Sequence, residues 1–360
     1  MAALIGLLFP LSAFSQKNTR TENVFIVTLD GFRWQEVFGG ADSALLFDRT
    51  YTKDSAVYVS KFWAKTPEAR RKLLLPFFWT TLAQKGQLYG NHNLGNHVNV
   101  SNRMWFSYPG YNEIFTGNPD DVHAKSNDKI LNPNTNILEF VHRQQGFGDK
   151  VAAFTSWDVF PWILNEQRSG FPVNSGFENL ESKSNPVIQS LNDLQHRQPL
   201  YWQDGVRMDF LTWAIMKEYV LENHPRVVYV GLDETDEYAH EGRYDFYLSV
   251  AQQTDAWLSE LWDFIQNDPQ YKDKTTLLLT VDHGRGDKVK KQWRDHSIKI
   301  EGADQIWLAA IGPDTRALGE VKAPMQLYQK QVAQTIARLL GLQFTCEHEV
   351  APAIESVTDK

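Results

Sequence analysis

Five short apolar runs, several rich in β-branched residues, punctuate the chain: VFIVTL (24–29), VAAF (151–154), VVYVGL (227–232), LLLTV (277–281) and IWLAAI (306–311). Each is continuous rather than alternating, which predicts strands buried on both faces. Between them lie stretches with helical spacing of apolar positions. VRMDFLTWAIMKEYVLEN (206–223) ends before His224-Pro225. YDFYLSVAQQTDAWLSELWDFIQ (244–266) is long and amphipathic, and MQLYQKQVAQTIARLLG (325–341) stops at Gly341. Strands alternating with helices predict an α/β fold, an α/β/α sandwich around a central, mostly parallel sheet. Residues 42–100 and 155–205 break the rhythm and are rich in aromatics, asparagine and proline. They read as cap insertions that roof the C-terminal edge of the sheet, within one catalytic domain over 16–360.

Composition narrows the function. The 360 residues are 42% hydrophobic and 22% charged, enough to bury a large core. A net charge of −8 argues against a general nucleic-acid surface. The single cysteine, Cys346, excludes an intramolecular disulfide and a cysteine-built zinc site. At the N-terminus, AALIGLLFPLSAFSQ is an apolar run ending in the small-x-small pattern Ala13-Phe14-Ser15. It predicts a signal peptide over residues 1–15 and a periplasmic or secreted mature chain; an ordinary apolar segment is the alternative. The run is too short to span a bilayer comfortably, and no later segment reads as a membrane span.

The stretch SYPGYNEIFTG (107–117) has helix punctuation, with Pro109 near its start and Gly117 at its end. Ser107 therefore lies at a helix N-terminus, where backbone N–H groups attract anions. It is either a cap or a nucleophile facing a phosphate.

The strand exits carry the rest of the chemistry. VFIVTLDGF ends in Asp30, VVYVGLDETDEYAH offers Asp236 and His240, and LLLTVDHGRGD ends in Asp282-His283. WRDHSIKIEGADQIWLAAI places His296 ahead of the last strand. Open α/β sheets put ligand sites at the carboxyl ends of their strands. Singly, each residue has a plain reading as turn former, cap or packed histidine, and Asp233 and Glu234 compete in the same loop. Together, three carboxylates and three histidines fill two three-ligand metal sites, each with an open position. Two divalent ions about 4 Å apart can clamp the attacking and leaving oxygens of a displacement.

This order, strand-Asp, Ser/Thr before P-x-x-x-x-x-x-T-G, D-x-x-x-H, D-H and a final His, resembles the alkaline phosphatase superfamily of two-metal phospho- and sulfohydrolases. The resemblance spans about residues 23–340 and is nearest the nucleotide pyrophosphatase/phosphodiesterase branch and its monoesterase relatives. It implies two zinc ions per chain, with manganese the alternative metal. One is implied on Asp236, His240 and His296, the other on Asp30, Asp282, His283 and the Ser107 oxygen. It also implies that Ser107 is the catalytic nucleophile, forming a phosphoserine, where many relatives carry threonine. An asparagine about twenty residues on is implied as a phosphoryl-oxygen donor; Asn127 is nearest by spacing, and Asn132 and Asn134 compete. Arg285 and Arg294 flank the metal motifs and either grip substrate phosphate or form structural contacts. The aromatic segments TSWDVFPWILN and RMWFSYPGY either line a substrate pocket or pack the core.

The expected activity is a phosphate-ester hydrolase acting on a small molecule, monoesters first and diesters or nucleotides second. A metal-dependent phosphomutase and a silent metal-binding relative are the rivals. A sulfatase is disfavoured because Ser107 precedes YPGYNE, not the C/S-x-P-x-R context of that branch.

Overall fold

The computed structural model describes residues 19–182, 185–198, 200–202 and 205–359. The expected signal peptide, 1–15, lies outside them.

Eleven strands are present among the described residues: β1 (Asn23–Leu29), β2 (Gln87–Tyr89), β3 (Asn96–Asn99), β4 (Val151–Thr155), β5 (Val173–Ser175), β6 (Val227–Leu232), β7 (Thr275–Thr280), β8 (Gln305–Ile306), β9 (Leu308–Ile311), β10 (Gly319–Glu320) and β11 (Met325–Tyr328). Eight form the central sheet in the order β10-β2-β9-β7-β1-β6-β4-β5, and β11-β3-β8 form a small second sheet. β1, β4, β5, β6 and β7 run parallel, and β9 is antiparallel to both its neighbours. The expected mostly parallel α/β sheet is what the chain forms. β1, β4, β6 and β7 are buried at every residue, so both faces of the sheet's middle are covered.

The register sets up the site. Leu29 pairs with Leu232 and Thr28 with Thr280, so β1, β6 and β7 end side by side. The next residues therefore emerge together: Asp30, Asp233 and, one past Val281, Asp282. The Asp30 N–H continues the ladder to the Leu232 carbonyl at 2.9 Å.

Helices occur at Asp209–Asn223, Tyr244–Asn267 and Gln331–Leu339, within three of the helical stretches read from the sequence. The last expectation is corrected at its start. Residues 325–328 are β11, because Met325 and Leu327 are better covered than Gln326 and Tyr328, an alternation of period two. The run 306–311 is also divided. Ile306 belongs to the small sheet and Leu308–Ile311 to the central one, with buried Trp307 at the crossing between them.

The two irregular stretches contribute to the sheet itself. β2 from 42–100 and β5 from 155–205 both join the central sheet. Each has three residues and contains a buried amide, Gln87 or Asn174, so neither shows an apolar run.

Candidate metal centre

Two triads of ligand atoms lie at the strand exits, Asp30/Asp282/His283 and Asp236/His240/His296. The first is fully buried. Asp30 Oδ1, Asp282 Oδ2 and His283 Nε2 each lack a well-formed hydrogen bond. They face one another, with His283 Nε2 at 3.2 Å from Asp30 Oδ1 and 3.4 Å from Asp282 Oδ2. A tetrahedron with ~2.0–2.1 Å metal bonds has edges of roughly 3.3 Å, so the spacing suits a shared cation. Other contacts hold these groups in place. Tyr111 Oη donates to Asp30 Oδ2 at 2.9 Å, and the Gly31 N–H donates to Asp282 Oδ1 at 3.1 Å. His283 Nδ1 lies 2.9 Å from the Gly284 carbonyl. Donation there leaves the Nε2 lone pair free for a metal.

The second triad opens toward solvent at His240. Asp236 and His240 stand one turn apart on the helix Glu234–His240, and their Oδ2 and Nε2 atoms are 3.1 Å apart. His296 Nε2 lies 3.0 Å from His240 Nε2 and 3.7 Å from Asp236 Oδ1. The triads adjoin: the His283 and His296 rings stack at 3.9 Å, and His283 Nε2 is 3.8 Å from Asp236 Oδ1.

Electrostatics point the same way. Burial, then the neighbouring Asp30, push the Asp282 carboxyl up to about 8. Burial opposes charge on His283, but Asp282 and Asp30 outweigh it and raise the imidazole to about 9. Burial, followed by Asp30, also holds Asp233 well above the usual carboxylate range. Carboxylates this close and this buried need compensating positive charge. The donor set of carboxylate oxygen and imidazole nitrogen fits a divalent metal at each triad.

The helix Ser107–Thr116 lies across the buried triad. A Cβ at Gly110 would fall 2.3 Å from the Asp282 carbonyl oxygen, so only glycine permits this approach. Gly110 and Tyr111 touch Asp282 and Asp30, and Ser107 is three and four residues before them on the same helix face. Ser107 is buried and is itself the first helical residue; the cap position is the extended Phe106. The helix start offers an anion less than expected. The Tyr108 N–H is taken by Asn127 Oδ1 at 3.0 Å, Pro109 has no N–H, and Gly110 N–H bonds the Phe106 carbonyl.

The other expected substrate contacts divide. Asn127 sits beside Ser107 through that bond to Tyr108. Asn132 is buried and donates to Asn112 Oδ1 at 3.0 Å, while Asn134 also bonds Asn112, so this pair braces the helix from its far part. Arg285 and Arg294 both make structural contacts, one of the two roles expected of them. Buried Arg285 bonds Asp236 Oδ1 and the Gly31, Asp236 and Arg294 carbonyls. Arg294 Nε and Nη2 both donate to the His240 carbonyl. Both guanidinium groups hold metal-ligand segments in place.

Sequence reasoning missed Tyr111 and Asp209. Asp209 receives the N–H groups of Asp233 and Glu234 at 2.9 and 3.1 Å, fixing the start of the Asp236/His240 helix. Tyr111 was findable, since it stands four residues after Ser107 on one helix. Asp209 lies 24 or more residues from its partners and carries no local signal.

Residues 211–344 match the family model of the Metalloenzyme superfamily, a span that holds Asp236, His240, Asp282, His283 and His296. No curated protein matches the sequence significantly. Among solved structures, the alkaline phosphatase PafA is similar in fold, at 11% identity and TM-score 0.61 over 95% of this chain and 99% of that one. The phosphonate monoester hydrolase of Agrobacterium radiobacter gives 14% and 0.57 over 94% and 77%. The lipoteichoic acid synthase LtaP from Listeria monocytogenes gives 12% and 0.52 over 89% and 72%. The resemblance to the alkaline phosphatase superfamily read from the motifs is borne out, and the chain has an alkaline phosphatase-like fold.

Proposed function

We propose that this chain is an exported two-zinc hydrolase of phosphate esters, acting first on monoesters, with Ser107 as the nucleophile. The observation that carries this reading is the pair of adjoining triads with the face of the Ser107 helix laid on one of them. Zinc held by Asp30, Asp282 and His283 and by Asp236, His240 and His296 would supply Lewis acidity, lowering the pKa of a nearby hydroxyl and neutralising charge on the ester oxygens.

The chain's own groups do the rest. Ser107 Oγ attacks phosphorus in line with the leaving oxygen; the Oγ–P bond forms and the P–O ester bond breaks, the Ser107 proton passes to solvent, and the leaving oxygen takes a proton from solvent to depart as the alcohol. Water then attacks the phosphoserine, the Oγ–P bond breaks, and inorganic phosphate and free Ser107 are restored. Asn127, whose Oδ1 accepts the Tyr108 N–H beside Ser107, would offer its amide NH2 to a phosphoryl oxygen. Tyr111 and the Gly31 N–H keep the buried carboxylates aimed inward throughout.

A phosphate diester is the second reading, and one observation favours it. Arg285 and Arg294 are committed to Asp236 and to backbone carbonyls, so neither rewards the extra charge of a monoester. Rates for a phosphate monoester, a phosphate diester and a sulfate ester on zinc-loaded protein test both readings. Turnover fastest on the monoester supports the first; no turnover on either phosphate ester overturns both.

A further inference from the structure

The segment that leads into Ser107 has an unusual backbone. Trp105 adopts φ 56°, the left-handed region that non-glycine residues avoid. Its backbone lies beside the His296 imidazole, whose buried Nδ1 has no well-formed hydrogen-bond partner. One residue therefore turns the chain toward the nucleophile on one side and meets a metal ligand on the other. Conformations of this kind persist only where the surroundings over-determine them.

The surroundings here are two side chains. Glu113, fully buried on the nucleophile's own helix, accepts from Ser101 N at 2.8 and 2.9 Å, Asn102 N at 2.8 Å, Asn102 Nδ2 at 3.0 Å and Lys330 N at 3.1 Å. Asn102 Oδ1 in turn accepts from the Met104 and Trp105 N–H groups, both at 3.0 Å. The bonds run in series from Glu113 through Asn102 to Trp105. They tie the approach segment to the helix that Ser107 begins.

We infer that Glu113 and Asn102 are positioning residues: they latch residues 101–106 so that left-handed Trp105 sets Ser107 and His296 in register with each other. The inference rests on the proposed function for its catalytic consequence, but its effect on metal binding does not. No group in the latch reacts with substrate. A buried carboxylate serves this role because it accepts several N–H bonds and donates none. Glutamine at 113 would turn an NH2 against backbone N–H groups and open the latch.

The test separates backbone conformation from side-chain packing. Trp105→Val and Trp105→Asn both remove the indole, yet only asparagine tolerates the left-handed region. Turnover and KM on a phosphate monoester, zinc affinity by chelator competition and thermal unfolding are measured for both variants and for Glu113→Gln. The latch predicts that Trp105→Val and Glu113→Gln lower kcat with little change in KM, and weaken one zinc by about tenfold. Trp105→Asn should recover most of that loss. Equal behaviour of the valine and asparagine variants, or wild-type kcat and zinc affinity in Trp105→Val, overturns the latch. If Glu113→Gln does not fold, the Trp105 pair still decides. If the wild type hydrolyses no ester, the proposed function fails while the zinc measurement continues to judge the latch.

Discussion

Ser107 separates two accounts by one atom. If its hydroxyl attacks phosphorus, Ser107→Ala should lower turnover by several orders of magnitude and leave thermal unfolding nearly unchanged. Ser107→Thr keeps the hydroxyl and should retain a measurable fraction of the rate. A serine that served only as the first residue of its helix would instead leave the rate nearly unchanged on conversion to alanine. Tyr111 offers a second test. Its hydroxyl fixes the Asp30 carboxylate at 2.9 Å, so Tyr111→Phe should weaken zinc binding by about tenfold in a chelator competition while the fold holds. Unchanged affinity would show that Asp30 needs no such support. The metal-ligand candidates were legible in the sequence because four of them, Asp30, Asp236, Asp282 and His283, closely follow apolar strand runs. The role of Arg285 stayed open in the sequence for a physical reason: spacing shows a cation near a motif but not the carbonyls that already occupy it.

At the scale of elements, the strands that carry ligands announced themselves and the short outlying strands did not. β1, β6 and β7 are buried throughout and read as continuous apolar runs. β2, β5 and β11 have three or four residues and mix polar with apolar positions, so their pairing depends on neighbours distant in the chain. The long helix Tyr244–Asn267 shows how such a segment is anchored. Its buried Asp255 accepts the Phe77 and Phe78 N–H groups at 2.8 and 3.1 Å, tying down the stretch that leads to β2. Burial raises the Asp255 carboxyl to about 7, above an unfolded value of ~4. The folded state therefore binds the proton more tightly than the unfolded state. The stability this contributes is present below about pH 4 and is lost as pH rises toward 7, on the order of 4 kcal/mol. Asp255→Asn should remove that slope. Denaturant unfolding at several pH values from 4 to 8 measures it, and parallel pH profiles for the variant and wild type would contradict the assignment.

At the scale of the molecule, one sheet edge gathers Asp30, Asp282 and His283 in a buried triad, with Asp236, His240 and His296 beside it. Without a cation these carboxylates repel one another, so a chelator should abolish activity and lower the unfolding temperature, and zinc should restore both. Elemental analysis should find two zinc ions per chain; one or none in fully active protein would refute the two-metal account. Export belongs to the same scale. Native protein should begin at Gln16, and intact mass showing residues 1–15 retained on cytosolic protein would exclude it. The central claim, phosphoryl transfer through Ser107, meets its most direct test in a single trapping measurement. Zinc-loaded enzyme is mixed with a phosphate monoester, quenched in acid, digested and examined by mass spectrometry. The account predicts a phosphate adduct on the peptide containing Ser107 and none in Ser107→Ala. An active enzyme whose Ser107 peptide stays unmodified, with Ser107→Ala turning over at the wild-type rate, would contradict it.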